Sequence, residues 1–343
     1  MVYCNDIRES LSNISKLEQM KNKTIFINGA TGLIGSSIVD FIAVANIEYG
    51  LNISIFCGCR SKEKFENRFS KFNKKANIHF VQYDALKPFS IGIEFDYIIH
   101  GAGNANPFKY MSEPVETMMG NIYGVREVLK YARLFKSRVL YISSSEVYGN
   151  THVDKPFKEK DFGTVDISNV RACYPVSKRA AESLCVSYHH EYGVNVVIVR
   201  PGHVYGPTAS LEDNRASSEF PRYVLNGKDI VMKSQGTQIR SYCYVVDCVS
   251  AVLTVLLNGQ TGEAYNISCK KSIVSVKEMA ECFANAGGKR VVYECPTEKE
   301  KAGYNLMSNS ILDSEKIEML GWNGLYDMKT GAQHTIETLR SVR

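Results

Sequence analysis

The feature that most constrains this chain is Thr24-Ile-Phe-Ile-Asn-Gly-Ala-Thr-Gly-Leu-Ile-Gly-Ser-Ser-Ile-Val-Asp40, where an apolar run passes into three glycines at spacing three and then into an apolar-periodic segment. The pattern reads as strand, tight turn and helix. Gly29 permits a sharp exit from the strand, Gly32 lets the backbone approach a pyrophosphate, and Gly35 lets the helix lie close on the sheet. Phosphates would sit at the helix N-terminus, where free N–H groups and the helix dipole favour negative charge. Thr31, Leu33 and Ile34 fill the positions between the glycines and belong to the same candidate cradle. A glycine turn alone is weak evidence for a dinucleotide, so the rest of the chain has to support it.

The following segments alternate in the way that such a turn demands. A helix from about Leu33 to Ile47 leads to a strand at 52–57 and the tip Gly58-Cys59-Arg60-Ser61; strands at 78–82 and 95–100 follow, the second opening into Gly101-Ala102-Gly103. Long helical patterns at about 115–135 and 172–192 precede apolar strands at 138–143 and 194–199. Apolar strands separated by helices of this length predict an α/β fold, a doubly wound parallel sheet covered on both faces. Beyond Arg200-Pro201 the rhythm breaks into loops, with short helices near 219–225, 247–257 and 276–286. The expected division is a helical extension at 1–21, a dinucleotide domain at 22–200 plus about 236–268, and a discontinuous substrate lobe at about 201–235 and 269–343. In the extension, Ile7, Leu11, Ile14 and Leu17 form the apolar stripe of an amphipathic helix.

Composition excludes several functions. The net charge of +5 is spread over 41 basic and 36 acidic residues with no basic tail, which argues against a nucleic-acid partner. The ten cysteines are scattered without zinc-like spacing and read as buried thiols, with no metal site. No stretch approaches the roughly 20 apolar residues of a membrane span, and with unpaired thiols this predicts a cytoplasmic protein with no membrane partner.

Tyr174 and Lys178 lie four residues apart, on one face of the second long helix. An ammonium beside a phenol is expected to lower the phenol from its usual pKa of about 10 toward working pH, so that it trades a proton with a sugar hydroxyl or ketone. Upstream, Ser143-Ser144-Ser145-Glu146-Val147-Tyr148-Gly149 sets hydroxyls and a carboxylate at the carboxyl end of a strand, where open α/β sheets bind ligands.

With these residues in place, the chain resembles the extended short-chain dehydrogenase/reductases of the nucleotide-sugar epimerase/dehydratase family over about residues 22–325. The matching motifs are Gly29-Ala-Thr-Gly-Leu-Ile-Gly35, Asp84, His100-Gly-Ala-Gly103, Asn121 within Gly120-Asn-Ile-Tyr-Gly124, Ser144 before Val147-Tyr-Gly, Tyr174 with Lys178, and Arg200-Pro-Gly-His-Val-Tyr-Gly-Pro207. The resemblance implies a Rossmann-type domain with a smaller nucleotide-sugar lobe, a catalytic triad of Ser144, Tyr174 and Lys178, and adenine contacts from Asp84 and Ala85. It also implies that Arg240 grips the nucleotide diphosphate, with Arg215 and Arg222 as weaker candidates, and that the two long helices build a homodimer. His203 departs from the pattern, standing where family members usually carry asparagine.

Side chains beside the triad bear on the reaction. Dehydratases of the family carry Asp-Glu after the catalytic hydroxyl residue, and here the pair is Ser145-Glu146, which argues against water elimination. UDP-glucuronate decarboxylases resemble this chain in Ser-Glu and in Asn169-Val-Arg171-Ala-Cys-Tyr174, but they also present an arginine before the last helix, where Tyr304–Ser310 has no basic residue. An NAD enzyme of this fold usually ends its second strand in an acidic residue; Gly58 takes that place, and Arg60 with Ser61 could hold a 2′-phosphate. The expectation is therefore an NADP(H)-preferring reductase, with NAD(H) as the alternative cofactor. Its substrate would be a nucleotide-linked 4-keto-6-deoxyhexose, first choice the dTDP sugar leading to dTDP-fucose for surface polysaccharide. The alternatives are a UDP-glucuronate decarboxylase, a 4-epimerase and, remotely, a non-catalytic dinucleotide sensor.

Overall fold

The computed structural model describes residues 2–103, 105–151, 155–210, 212–297 and 309–342. Apolar runs buried on both faces form its central sheet: β1 (Thr24–Asn28), β2 (Ser54–Cys59), β3 (Ile78–Gln82), β4 (Tyr97–His100), β5 (Arg138–Ile142) and β6 (Val196–Pro201). Three further strands, β7 (His203–Tyr205), β8 (Ile230–Met232) and β9 (Ile239–Tyr244), precede the seventh member of the sheet, β10 (Ala264–Ile267). All seven run parallel, in the order β10-β6-β5-β4-β1-β2-β3. Strand order reverses between β1 and β4, and ligands of open α/β sheets bind in the crevice that this reversal opens.

Helices cover both faces. The first helix, α1 (Val2–Ser12), is followed by α2 (Leu33–Tyr49), α3 (Lys62–Phe69), α4 (Pro107–Ser112), α5 (Pro114–Phe135), α6 (Cys173–Tyr192), α7 (Ala216–Leu225), α8 (Val245–Asn258) and α9 (Val276–Gly287). One face buries α2 and α8; the other buries Val125, Val128 and Leu129 of α5 with Ala181 and Cys185 of α6. Gly193, at φ +66°, ends α6 in the left-handed turn that glycine adopts without strain. β6 begins two residues later than its apolar run, because Val194 is still bonded to the helix end, its N–H to the Tyr188 carbonyl and its carbonyl to His189 Nδ1.

A second, smaller sheet centres on β9, which pairs in parallel with β7 and β13 (Asn309–Ser310) and antiparallel with β11 (Ile273–Ser275); β12 (Val291–Tyr293) pairs with β8. This sheet continues from the carboxyl end of β6, so it stands beside the crevice.

The N-terminal stretch is helical only to Ser12, and Ile7, Leu11, Ile14 and Leu17 are all buried. Its polar groups bind widely separated elements. Tyr3 Oη donates to Asp40 of α2 at 3.0 Å, Tyr244 Oη donates to Asp6 at 3.0 Å, and Asp6 also meets His334 of the C-terminal helix Met328–Ser341. All ten cysteines are unpaired; seven are buried, whereas Cys4 and Cys282 are half-buried and Cys295 is exposed. Among the described residues, no helix is long and apolar enough to cross a membrane, and no group of His, Cys, Asp and Glu is arranged to hold a metal.

Candidate active site

The cradle starts where β1 ends. Gly29 sits at φ +71°, and a Cβ there would lie 2.8 Å from the Gly101 carbonyl oxygen, so glycine is required both by conformation and by the approach of the loop after β4. A Cβ on Gly35 would collide with the Gly29 carbonyl, which is how closely α2 packs on the turn. Gly32 is the helix N-cap, and no side chain caps the amides behind it. Asn28 joins the two strand ends: its Oδ1 accepts from the Gly101 and Ala102 amides, both at 2.9 Å, and its Nδ2 meets His100 Nδ1 at 2.7 Å. Sequence reasoning missed Asn28; the available signal was a polar residue closing an otherwise apolar strand.

At the tip of β2 the arrangement differs from expectation. Gly58 lies inside the strand, where a Cβ would press on the Phe26 ring at 2.7 Å, and the residue that meets the turn is Cys59, whose thiol bonds Thr31. Burial and that neighbour leave the thiol pushed up to about 11. Arg60 follows, exposed, while Ser61 Oγ accepts the Lys64 amide at 3.1 Å as the N-cap of α3. Neither Gly58 nor Cys59 is acidic. Beyond β3, Asp84 Oδ1 accepts the Leu86 amide at 3.0 Å, and Ala85 packs against Gly124 of α5.

The loop after β4 brings the cradle to the triad. A Cβ on Gly103 would meet Asn121 Oδ1 at 2.6 Å and Lys178 Nζ at 3.9 Å. Asn121 Nδ2 donates to Ser177 Oγ at 3.0 Å, while its buried Oδ1 has no partner among the described residues. Lys178 Nζ donates to the Ile142 carbonyl at the end of β5, 2.9 Å away, and lies 4.8 Å from the Tyr141 ring centre. Burial lowers its pKa to about 8, against the pull of Glu182. The glycine cradle, the uncapped helix end and this orphaned Asn121 oxygen fit a bound nicotinamide dinucleotide running from Gly29 to Lys178.

Tyr174 stands at the start of α6, buried, with its ring stacked on Tyr110 at 4.9 Å and 14°. Its hydroxyl bonds Ser144, whose Oγ also accepts the Glu146 amide at 3.2 Å. Ser144, Tyr174 and Lys178 are thus brought together, but the expected lowering of the phenol does not occur. Its pKa is raised to about 12, first by burial and then by the Glu146 carboxylate; Ser144, Arg215 and Arg171 only offset this. Lys178 has its Nζ 5.9 Å from the Tyr174 ring centre and is turned to a backbone carbonyl, so it gives the phenol little help in this state.

The sugar side is built from charges. Arg171 grips Glu146 bidentately, Nη1 to Oε2 at 3.1 Å and Nη2 to Oε1 at 3.0 Å, and Arg215 grips Asp213 through Nε and Nη2. Ser145 is buried in the same short helical turn as Glu146. Arg240 is 5% exposed, and both it and Arg215 act on His203. Arg222 lies half-buried in the last turn of α7 beside Tyr223. Arg171 and Tyr110 were not among the expected site residues.

Residues 25–268 match the model of the NAD dependent epimerase/dehydratase family. The chain belongs to this family. Among curated members, UDP-glucuronic acid decarboxylase 3 of Arabidopsis thaliana is 34% identical over 242 residues, covering 70% of this chain and 68% of that protein. UDP-glucuronic acid decarboxylase 1 of Xenopus tropicalis is 28% identical over 348 residues, covering 97% of this chain and 79% of its own. Among solved structures of the epimerase/dehydratase fold, a UDP-glucose 4-epimerase of Thermotoga maritima superposes with a TM-score of 0.77 at 22% identity, covering 93% of this chain and 99% of that one. A dTDP-glucose 4,6-dehydratase of Bacillus anthracis, solved with NAD, gives 0.75 at 19%, covering 93% and 97%.

Proposed function

We propose that this chain is an enzyme that oxidises a UDP-linked hexuronate at C4 and lets the resulting β-keto acid lose carbon dioxide. The observation that carries the reading is the Ser144-Ser145-Glu146 turn locked to Arg171 directly beside Tyr174; decarboxylases that share Ser-Glu and the Arg-x-x-Tyr approach support it. Bound NAD supplies the hydride acceptor, and its oxidised ring the positive charge that favours the phenolate.

The chain's own groups do the rest. Tyr174 takes the proton from the C4 hydroxyl, and Ser144, bonded to the phenol, positions that oxygen. The C5–C6 bond then breaks, its electron pair passing into an enolate on the C4 oxygen, carbon dioxide leaves, and C5 takes up a proton. The Tyr174 hydroxyl donates to the enolate oxygen and returns its proton when C4 is reduced. Lys178 and Asn121, facing Gly103, hold the nicotinamide ribose, and Asp84 with Ala85 meets the adenine. Arg240, Arg215 and His203 bind the diphosphate, with Arg222 at the margin.

Incubation with UDP-glucuronate and NAD tests this: a product lighter by carbon dioxide is expected, and unchanged substrate overturns the decarboxylase reading. The 4-keto-6-deoxyhexose reductase remains as a second reading, favoured by exposed Arg60 at a strand tip without a carboxylate and by the lack of a basic residue at 304–310, of which 304–308 lies outside the described residues. Gain of two hydrogens by a dTDP-4-keto-6-deoxy sugar with NADPH would establish it. The reading keeps the three-part division of the chain and adds a homodimer through α5 and α6, which leave Val115, Met119 and Val186 exposed. Light scattering at micromolar concentration should give twice the 38.4 kDa chain mass.

A further inference from the structure

His203 opens β7 and pairs across to Tyr242 of β9, its ring centre 5.6 Å from that of Tyr242. One edge of the imidazole is partly exposed, but Nδ1 is sealed from solvent and has no hydrogen-bond partner among the described residues. A buried polar nitrogen without a partner costs free energy, and native proteins rarely leave one unless something else satisfies it.

The surroundings specify what would satisfy it. Every element packed on β7 contributes. Arg240 on β9 and Arg215 in the approach to α7 are the charges that act on the ring, and both are cationic. Tyr242 offers its face; Asp247 at the start of α8 is turned away, accepting the Leu325 and Tyr326 amides at 2.9 and 3.0 Å. On α7, Glu219 and Arg222 flank Tyr223. Asp213 is taken up by Arg215, and Glu146 by Arg171. Two carboxylates thus face three guanidinium groups, and the one-charge excess lies on the His203 side.

We propose that His203 is a proton-coupled anion contact: when the diphosphate of a nucleotide sugar settles between Arg215 and Arg240, the imidazole takes up one proton and donates Nδ1–H to a phosphate oxygen. This rests on the reading of the site as one for nucleotide sugars and adds a residue-specific proton to its binding step. The sign follows from electrostatics. In the empty site burial and the two guanidinium groups hold the ring neutral, its pKa lowered to about 3. A diphosphate brings two negative charges against the ring, which reverses the local field and favours the imidazolium. Asparagine at this position could donate a hydrogen bond but could not gain a proton.

The test is calorimetric titration of the whole chain with UDP-glucose, whose diphosphate does not titrate near neutrality, in buffers of different ionisation enthalpy. Wild type should take up close to one proton per ligand near pH 6.5, with Kd tightening toward tenfold per pH unit as pH falls between the free and bound pKa values of the ring. His203→Asn should still bind UDP-glucose but lose that uptake and most of the slope. Binding by wild type without proton uptake, or uptake unchanged in His203→Asn, overturns the proposal and leaves the nucleotide-sugar site standing. Failure of wild type to bind UDP-glucose at all, together with no loss of carbon dioxide from UDP-glucuronate, overturns both.

Discussion

The two halves of the crevice are built on opposite principles. The cofactor side is backbone: glycines at 29, 35 and 103 mark where main chain or a carboxamide comes too close for a Cβ, and Asn28 ties the ends of β1 and β4 together with neutral hydrogen bonds. The sugar side is charge held by countercharge, with Arg171 on Glu146, Arg215 on Asp213 and Arg240 beside His203. A backbone cradle has one shape and fails outright when a methyl group is added. A set of ion pairs can re-form around a charged ligand, so its failures should be graded and pH-dependent.

The largest expected effect is therefore on the cofactor side. Gly35→Val drives a branched side chain into the Gly29 carbonyl and should destabilise the fold by about 3 kcal/mol or more while abolishing NAD binding. Thermal unfolding with and without NAD reads this, and a variant that melts like wild type and is still stabilised by NAD breaks the contrast. Next, Tyr174→Phe should keep NAD and UDP-glucose binding but lower turnover roughly 10²-fold or more; near-normal turnover would remove the phenol from the mechanism.

Arg60→Ala sharpens the comparison at the cofactor side's single exposed cation. If that guanidinium meets a 2′-phosphate, its loss should weaken NADPH binding roughly tenfold to a hundredfold and leave NADH almost unchanged. Equal effects on both cofactors would assign Arg60 to solvent. The smallest effect belongs to the sugar side. Glu146 raises the Tyr174 pKa and Arg171 lowers it, so Glu146→Gln should move the rising limb of the pH–rate profile to lower pH, and Arg171→Gln should move it to higher pH. Shifts in the same direction would show that the pair does not act on the phenol through its charge.

The same contrast decided what could be read from the sequence. The glycine turn was legible because its steric demands are met within a dozen residues, and Tyr174 with Lys178 because helical spacing alone puts them on one face. Arg171 and Glu146 are 25 residues apart and meet only once the turn after β5 closes on the approach to α6. Tyr110, whose ring covers Tyr174, comes from a short helix that no periodicity announces. The phenol was misjudged for a related reason: spacing shows that Lys178 lies near Tyr174, but not that its ammonium is turned to the Ile142 carbonyl. Gly58 was placed one residue too close to the strand tip, because the length of β2 is set by its pairing with β1 and β3.

The N-terminal helix carries a consequence for how the molecule is made. Asp6 is bonded to His334 and Glu9 to Tyr326, contacts spanning 328 and 317 residues. The first helix to leave the ribosome is thus among the last to find its seat, since half of that seat is the final helix of the chain. Until then Ile7 and Leu11 have nothing permanent to cover them, and closing so long a loop must precede the contacts that reward it. The α1 docking step should accordingly be a late event in folding, set by completion of the C-terminus and not by the early collapse of the parallel sheet.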